Sequence, residues 1–429
     1  MKLMTKKLNK NYEESNLAHK NDDAPCDVII IGGGLSGLTL TCLLAANGIR
    51  TKTIDIQNPS TALDDAFDGR TTAISFGSQK VLKAAGLWDK ADKHACPIET
   101  IQIMDSSRKE SLLDFNVNEV EGTAFGWIFE NRILRQAMYE RIEELGETAT
   151  LITPAKAIDF EITDDYSAVT LNNGQTHKAA LIIGCDGRKS FTRQWMGINT
   201  REWSYKQRAI VCSVIHENPH DNIAVEHFRK EGPFAVLPMT DDKDGNHRSS
   251  IVWTEHAPFT NSALKFDIDT FNIALTARFP SFYGAVKLTG ERFAYPLNLV
   301  HAHDYTASRM ALVADAAHGI HPIAGQGLNM GLRDVAEIAD LIITAHNNAE
   351  DIGADTLLDQ YQKNRRFDNM AMAGATDSLN RLFSNDYLPI KIARQAGLKA
   401  VSRINPVKKF FMNQAMGSAG LLPALIKDQ

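Results

Sequence analysis

Val28-Ile29-Ile30-Ile31-Gly32-Gly33-Gly34-Leu35-Ser36-Gly37 decides how this chain folds. Four consecutive β-branched apolar residues read as a strand buried on both faces, as in a parallel sheet. The stretch from Leu38 to Asn47 reads as a helix that ends at Gly48. Between strand and helix, Gly32 permits the tight turn, Gly34 lets backbone approach a pyrophosphate, and Gly37 lets helix pack on strand. Phosphates would then sit on the free N–H groups and positive end of the helix. Gly32, Gly34, Leu35, Ser36 and Gly37 are therefore candidate cofactor contacts. A second strand, Thr51 to Ile54, delivers Asp55 where an acid accepts hydrogen bonds from an adenosine ribose. This much leaves NAD and FAD both open.

Two later stretches narrow the choice. Leu181-Ile182-Ile183-Gly184 reads as another buried strand, running into Asp186-Gly187-Arg188-Lys189-Ser190-Phe191-Thr192-Arg193. Met310 to Val313 reads as a last strand, ending at Asp315. His318, Pro322 and Gly325-Gln326-Gly327-Leu328-Asn329 follow, the last group opening a helix predicted to run to about Ala345. Gly325 and Gly327 would expose N–H groups at that helix start, where they stabilise negative charge on a bound group. An Asp-Gly at a strand end by itself only turns the chain.

In this order the three stretches resemble the para-hydroxybenzoate hydroxylase superfamily of FAD-dependent monooxygenases, whose Asp-Gly-x-x-Ser-x-x-Arg motif matches residues 186–193. The run from His318 to Asn329 narrows the likeness. Together with Asp68-Gly69-Arg70, Glu130-Asn131-Arg132, Trp203-Ser204-Tyr205 and Ala415-Met416-Gly417, it is similar to the ubiquinone-biosynthesis flavin hydroxylases. The likeness spans roughly residues 26 to 420. It implies FAD as cofactor, with Asp186 close to it and Asp315 binding its ribitol chain. It also implies FAD contacts from Arg70, Arg132 and the segment Gly325, Gln326, Gly327, Leu328 and Asn329. Pro322 would lie beside the flavin where the peroxide forms, and His318 is the second catalytic candidate. Where the family has Gly before the ribitol aspartate this chain has Ala314, a change tolerated if the backbone there is not left-handed.

The chemistry implied by the resemblance is hydroxylation of an electron-rich phenol by a flavin C4a-hydroperoxide, with O2 as co-substrate and no side-chain nucleophile. The implied substrate is a polyprenylated phenol of ubiquinone biosynthesis, bound between flavin and the segment 207–255. Two alternatives stay open: a hydroxylase of a small soluble aromatic, and a non-catalytic flavin scaffold in a biosynthetic assembly. No second glycine fingerprint follows any other strand, and the resemblance implies electrons from NADPH or from a reductase or ferredoxin. Other quinone-biosynthesis proteins are further candidate partners.

Composition fits such an enzyme and excludes other classes. The 429 residues, 44% hydrophobic and 23% charged, exceed what one core supports. The expected fold is α/β. A Rossmann-like FAD-binding domain (26–105, 125–200 and 300–350) is interleaved with an antiparallel-sheet substrate domain (106–124 and 201–299). A basic helical region would follow from 351 to 429, and residues 1–25 read as a disordered polar leader. The five cysteines form no Cys-x-x-Cys pair, as expected in a reducing compartment. His301 with His303, and His318 with His321, lack a third ligand at metal spacing, so no metal is expected. No apolar run reaches the length of about 18 residues that a membrane span needs.

Charge is uneven along the chain. Residues 362–429 carry eleven Lys/Arg against four Asp/Glu, a balance of +7, leaving −13 for the rest of a chain whose total is −6. The tail mixes these charges with apolar residues, as in 388–394 and at Lys408-Lys409-Phe410-Phe411-Met412. It reads either as a helical cover for the main domain or as a membrane-surface face, with Phe410, Phe411, Leu421, Leu422 and Ile426 inserting. It contains no nucleic-acid-binding motif. The expected location is the bacterial cytoplasm, with peripheral attachment to the inner membrane left open.

Overall fold

Val28–Ile31 lies inside a six-stranded sheet ordered Thr306–Ala307, Met310–Leu312, Leu181–Gly184, Val28–Ile31, Thr51–Ile54 and Ala149–Ile152. Every pairing is parallel except that of the Thr306–Ala307 edge. Val28, Ile29 and Ile30 are fully buried, which is why the sequence runs apolar here instead of alternating. From the first strand the chain passes to one neighbour, Thr51–Ile54, while Leu181–Gly184 joins on the other side. Strand order thus reverses beside Val28–Ile31, the place where parallel α/β sheets bind ligands. The helix Leu35–Ala46 packs between the helices Asn131–Leu145 and Gln326–Asn347. The computed structural model describes residues 26–63, 70–105, 111–120, 122–319, 325–383, 397–398, 401–420 and 422–427.

A second sheet has eight strands, ordered His318–Gly319, Val286–Ala302, Thr200–His216, His247–His256, Gly232–Met239, Ile223–Arg229, Thr100–Asp105 and Leu113–Asn116. Its outer face, including Ile210, Val225, Phe234, Ile251 and Trp253, is covered by Phe271 and Leu275 of the helix Ile268–Thr276. Its inner face meets a three-stranded sheet, Thr71–Ser75, Gly126–Glu130 and Cys96–Ile98. The Thr71 hydroxyl donates to Ser250 Oγ across this junction at 2.6 Å. Thr100–Asp105, grouped with the nucleotide-binding segment by sequence, belongs instead to the eight-stranded sheet. It pairs there with Ile223–Arg229 in parallel, and its Ile101 and Ile103 pack on the inner-face cluster.

The tail needs one correction. Ile426 is 2% exposed and belongs to the main core, with Leu422 packed against it, so neither residue is available to a lipid surface. In the helix Asn405–Met416, Met412 and Met416 turn inward while Ile404, Val407, Phe410 and Phe411 stay exposed. Lys408 Nζ donates to both carboxylate oxygens of Glu119 at 2.7 Å. The leader 1–25, the stretch 388–394 and Leu421 lie outside the described residues. Among the described residues no helix is long and apolar enough to cross a membrane.

Candidate active site

The three glycine- and aspartate-bearing turns all sit at the C-terminal ends of adjacent parallel strands. At Gly32 the backbone is left-handed (φ +107°), and an added Cβ would lie 2.5 Å from the carbonyl oxygen of Cys185. A Cβ on Gly37 would lie 2.0 Å from Gly32 O, so helix and turn can approach this closely only with glycine there. Gly34 differs. It N-caps Leu35–Ala46 with ordinary backbone angles (φ −73°, ψ 178°), and no side chain caps the helix. A Cβ at Gly34 would meet nothing within 4 Å. The helix therefore presents unpaired first-turn N–H groups, starting at Leu35 and Ser36, to an open cradle suited to a pyrophosphate. Beside it Asp55 accepts the Gly33 N–H on one oxygen and the Gln57 N–H at 2.6 Å on the other.

The second turn is a brace. Asp186 accepts the Ser190 hydroxyl at 2.5 Å, the Thr192 N–H at 2.9 Å and the Thr192 hydroxyl at 3.1 Å. Its carboxylate is thus engaged within its own turn, a bracing role that the motif alone does not reveal. Arg193, 5% exposed, donates to Ala316 O at 2.7 Å and to Arg188 O at 2.8 Å. The motif ties the second turn to the third. Arg188 Nε reaches Asp315 Oδ2 at 3.1 Å, and both side chains remain open to solvent (36% and 45% exposed). Asp315 is therefore placed to take hydroxyl ligands on its accessible side.

Ala314 adopts φ +57°, the left-handed region in which a methyl is strained. The condition under which Ala was expected to be harmless there is not met. What holds it is Asp334, fully buried, whose Oδ2 accepts the Ala314 N–H at 3.0 Å and pairs with His318 Nε2 at 2.5 Å. Asp334 Oδ1 accepts from Arg365 Nε at 2.9 Å and Asn369 Nδ2 at 3.0 Å. Burial opposes ionisation of Asp334, but the adjacent His318 and Arg365 outweigh it and hold the carboxyl well below the usual carboxylate range. His318, the second catalytic candidate from sequence, is 2% exposed and a buried partner of this network. Sequence reasoning missed Asp334, although a lone acid between Leu332 and Val335 on an apolar helix face is the mark of a buried pair.

Asn329 is also spent internally. It accepts the Ser75 N–H at 2.9 Å and donates to Ala73 O at 2.8 Å, stitching its helix to Thr71–Ser75. Gly325 N-caps the same helix in the left-handed region (φ +63°) with no side-chain cap, and a Cβ on Gly327 would meet nothing within 4 Å. The first turn, Gln326, Gly327 and Leu328, is the start of a second uncapped helix. Pro322 and His321 lie outside the described residues, as do Asp68 and Gly69. The Arg70 guanidinium stacks on the Tyr295 ring, 5.0 Å from its centroid. Arg132 pairs with Glu130 at 3.4 Å and lines a cavity of about 340 Å³ together with His94, Met239, Asp241 and Arg248. An open glycine cradle, two uncapped helix starts and accessible Asp315 fit an extended dinucleotide such as FAD.

Comparison with known proteins agrees. The FAD binding domain family matches residues 25–375. Ubiquinone hydroxylase UbiL of Rhodospirillum rubrum is 43% identical over 94% of this chain and 92% of its own length. The 3-demethoxyubiquinol 3-hydroxylase of Escherichia coli is 31% identical over 92% of this chain and 99% of its own. Among solved structures, p-nitrophenol 4-monooxygenase PnpA from Pseudomonas putida superposes with a TM-score of 0.76 at 17% identity, covering 92% of this chain and 99% of that one. That likeness establishes the fold, while the two full-length relatives establish the family. The chain belongs to the FAD-dependent ubiquinone-biosynthesis hydroxylases.

Proposed function

We propose that the protein hydroxylates the aromatic ring of a polyprenylated phenol on the route to ubiquinone. The observation that carries this reading is the inner face of the eight-stranded sheet. Ile103, Val252, Phe293 and Tyr295 are only partly covered there, on the side where Thr71 and Arg70 reach the sheet from the three-stranded sheet, whose strand Thr71–Ser75 is stitched by Asn329 to the helix Gln326–Asn347. An apolar, partly open surface of this kind suits a prenylated ring and keeps water from it. The chemistry FAD supplies when bound is activation of O2 for transfer of one oxygen atom. The chain supplies the rest: the Gly34 cradle and Asp315 hold the cofactor, and the helix start at Gly325–Leu328 favours negative charge near it. Electrons come from NADPH or from a separate reductase or ferredoxin, and bleaching of the flavin by NADPH alone decides between them. Profiling quinone intermediates in a strain lacking the gene tests the reading: a prenylated phenol missing one ring hydroxyl should accumulate. An unchanged profile contradicts it.

A lipid-borne substrate calls for contact with a membrane surface. The exposed Ile404, Val407, Phe410 and Phe411 supply an insertion face on Asn405–Met416, with Arg403 and Lys409 beside it. Phe410→Ser with Phe411→Ser should weaken binding to anionic liposomes without changing flavin content. Undiminished binding returns this helix to a covering role.

A further inference from the structure

Glu226 lies in the strand Ile223–Arg229, at a position the hydroxylation chemistry described so far does not use. Its cross-strand partner is Ala235 on one side and Ile103 on the other. The row continues through Val252 and Val211 to Phe293. Side chains directly opposite one another in a sheet share a face. Val225, its neighbour in the strand, belongs to the outer cluster, so Glu226 points to the inner face with Ala224 and Phe228. That is the face that meets the three-stranded sheet and carries Phe293 and Tyr295 at its other end. Glu226 is the ionisable group of this row, set among apolar neighbours and still partly accessible. It makes no hydrogen bond or ion pair among the described residues.

Other charged groups on this face are engaged elsewhere. Asp105, opposite Phe228, is completely buried and has partners of its own. Arg248 and Glu130 pair with each other at 3.1 Å, and Arg70 is stacked on Tyr295. Burial alone, with no charged neighbour contributing, pushes the Glu226 carboxyl up to about 7. A carboxyl left unmatched in apolar surroundings costs stability, and such groups concentrate where a ligand completes them. A titration near neutrality is also the value at which a general base is most effective.

We propose that Glu226 binds the ring hydroxyl of the substrate and takes its proton, an assignment that rests on the phenol reading given above. The phenolic O–H bond breaks, its electron pair stays on the ring oxygen, and the proton passes to the Glu226 carboxylate. The electron-rich ring is then the better acceptor of an electrophilic oxygen. After product leaves, the proton returns to water. The surrounding Ile103, Ala235 and Val252 exclude water and keep the carboxylate a stronger base than a hydrated one.

The test uses the FAD-loaded protein with 2-prenylphenol and its O-methyl ether, following binding by the perturbation of flavin absorbance between pH 5.5 and 8.5. Wild-type affinity for the phenol should rise through about pH 7 as Glu226 ionises. Glu226→Gln should bind the phenol roughly tenfold more weakly, without that pH dependence, because a charge-assisted hydrogen bond is lost. Glu226→Leu should behave alike, with no polar group left to bury. The ether, which has no proton to give, should bind all three proteins equally. Equal phenol affinity and an unchanged pH profile in both variants overturn the assignment. Failure of wild-type protein to bind either probe overturns the phenol reading itself, and the assignment with it.

Discussion

Asp334 accepts the main-chain N–H of Ala314 at 3.0 Å while Ala314 sits in left-handed backbone at φ +57°. The strained residue directly precedes Asp315, so the network around Asp334 fixes where that acid points. Arg365, from the helix Asp355–Phe383, closes the network from behind. A turn that strain would otherwise relax is thereby held at the cofactor side of the sheet.

Ala314→Gly should remove that strain. A left-handed non-glycine residue costs about 1 kcal/mol, so in a chain of this size the variant should melt about 1 °C higher. Asp334→Asn should do the reverse, destabilising by about 1–3 kcal/mol because buried Arg365 and His318 lose their shared charged acceptor and Arg365 keeps only Asp368, at 2.9 Å. Calorimetry checks both. A lower melting temperature for Ala314→Gly would show that the turn carries no strain.

Gly34 and Gly37 should separate cofactor binding from folding. Gly34→Val meets open space and ordinary backbone angles, so the protein should fold normally yet fail to retain FAD. Gly37→Ala drives a methyl to 2.0 Å from Gly32 O and should damage the fold itself. Flavin absorbance and circular dichroism on the two variants distinguish these outcomes. A yellow Gly34→Val protein would place the cofactor elsewhere.

Asp186 and Asp315 look equivalent in sequence and should not behave so. Asp315→Ala should weaken FAD binding roughly tenfold, the worth of one or two lost hydrogen bonds, with little change in stability. Asp186→Ala removes the acceptor for Ser190 and Thr192 and should cost about 1–3 kcal/mol of stability. Titration with FAD and denaturant unfolding measure the two effects. A reversed pattern would mean that Asp186 touches the cofactor.

How much of this was legible follows from distance along the chain. The strand-turn-helix at 28–46 could be read because a glycine turn and an apolar run are local signals. The strand ends at Asp55, Asp186 and Asp315 were legible for the same reason. The internal partners of Asp186, His318 and Asn329 were not, because packing sets them. Arg193 reaches Ala316 across 123 residues, and Asn329 reaches Ser75 across 254. Ile426 misled because an apolar residue in a basic tail looks the same whether it faces lipid or core. Glu226 gave no sequence signal: only the pairing with Ala235 and Ile103 reveals which face it occupies.

His227 should make stability depend on pH. Burial, with Arg229 adding to it, lowers its imidazole from 6.5 to about 4. The depressed folded-state value means its contribution is complete above 6.5 and is lost as pH falls toward about 4. The full loss is about 3 kcal/mol. His227→Phe should flatten the fall in stability over that window, measured by urea unfolding at pH 7 and pH 4.5. An unchanged slope would show that the ring is already free to protonate in the folded protein.

If the protein is the proposed hydroxylase, it transfers one atom of O2 to the ring of a prenylated phenol. Reduced, FAD-loaded protein mixed with 2-prenylphenol under ¹⁸O2 in a single turnover tests it most directly. Mass spectrometry should find a hydroxylated phenol carrying one ¹⁸O atom in its new hydroxyl group. Recovery of unchanged phenol with all the oxygen released as hydrogen peroxide, or a new hydroxyl drawn from water, would contradict the account.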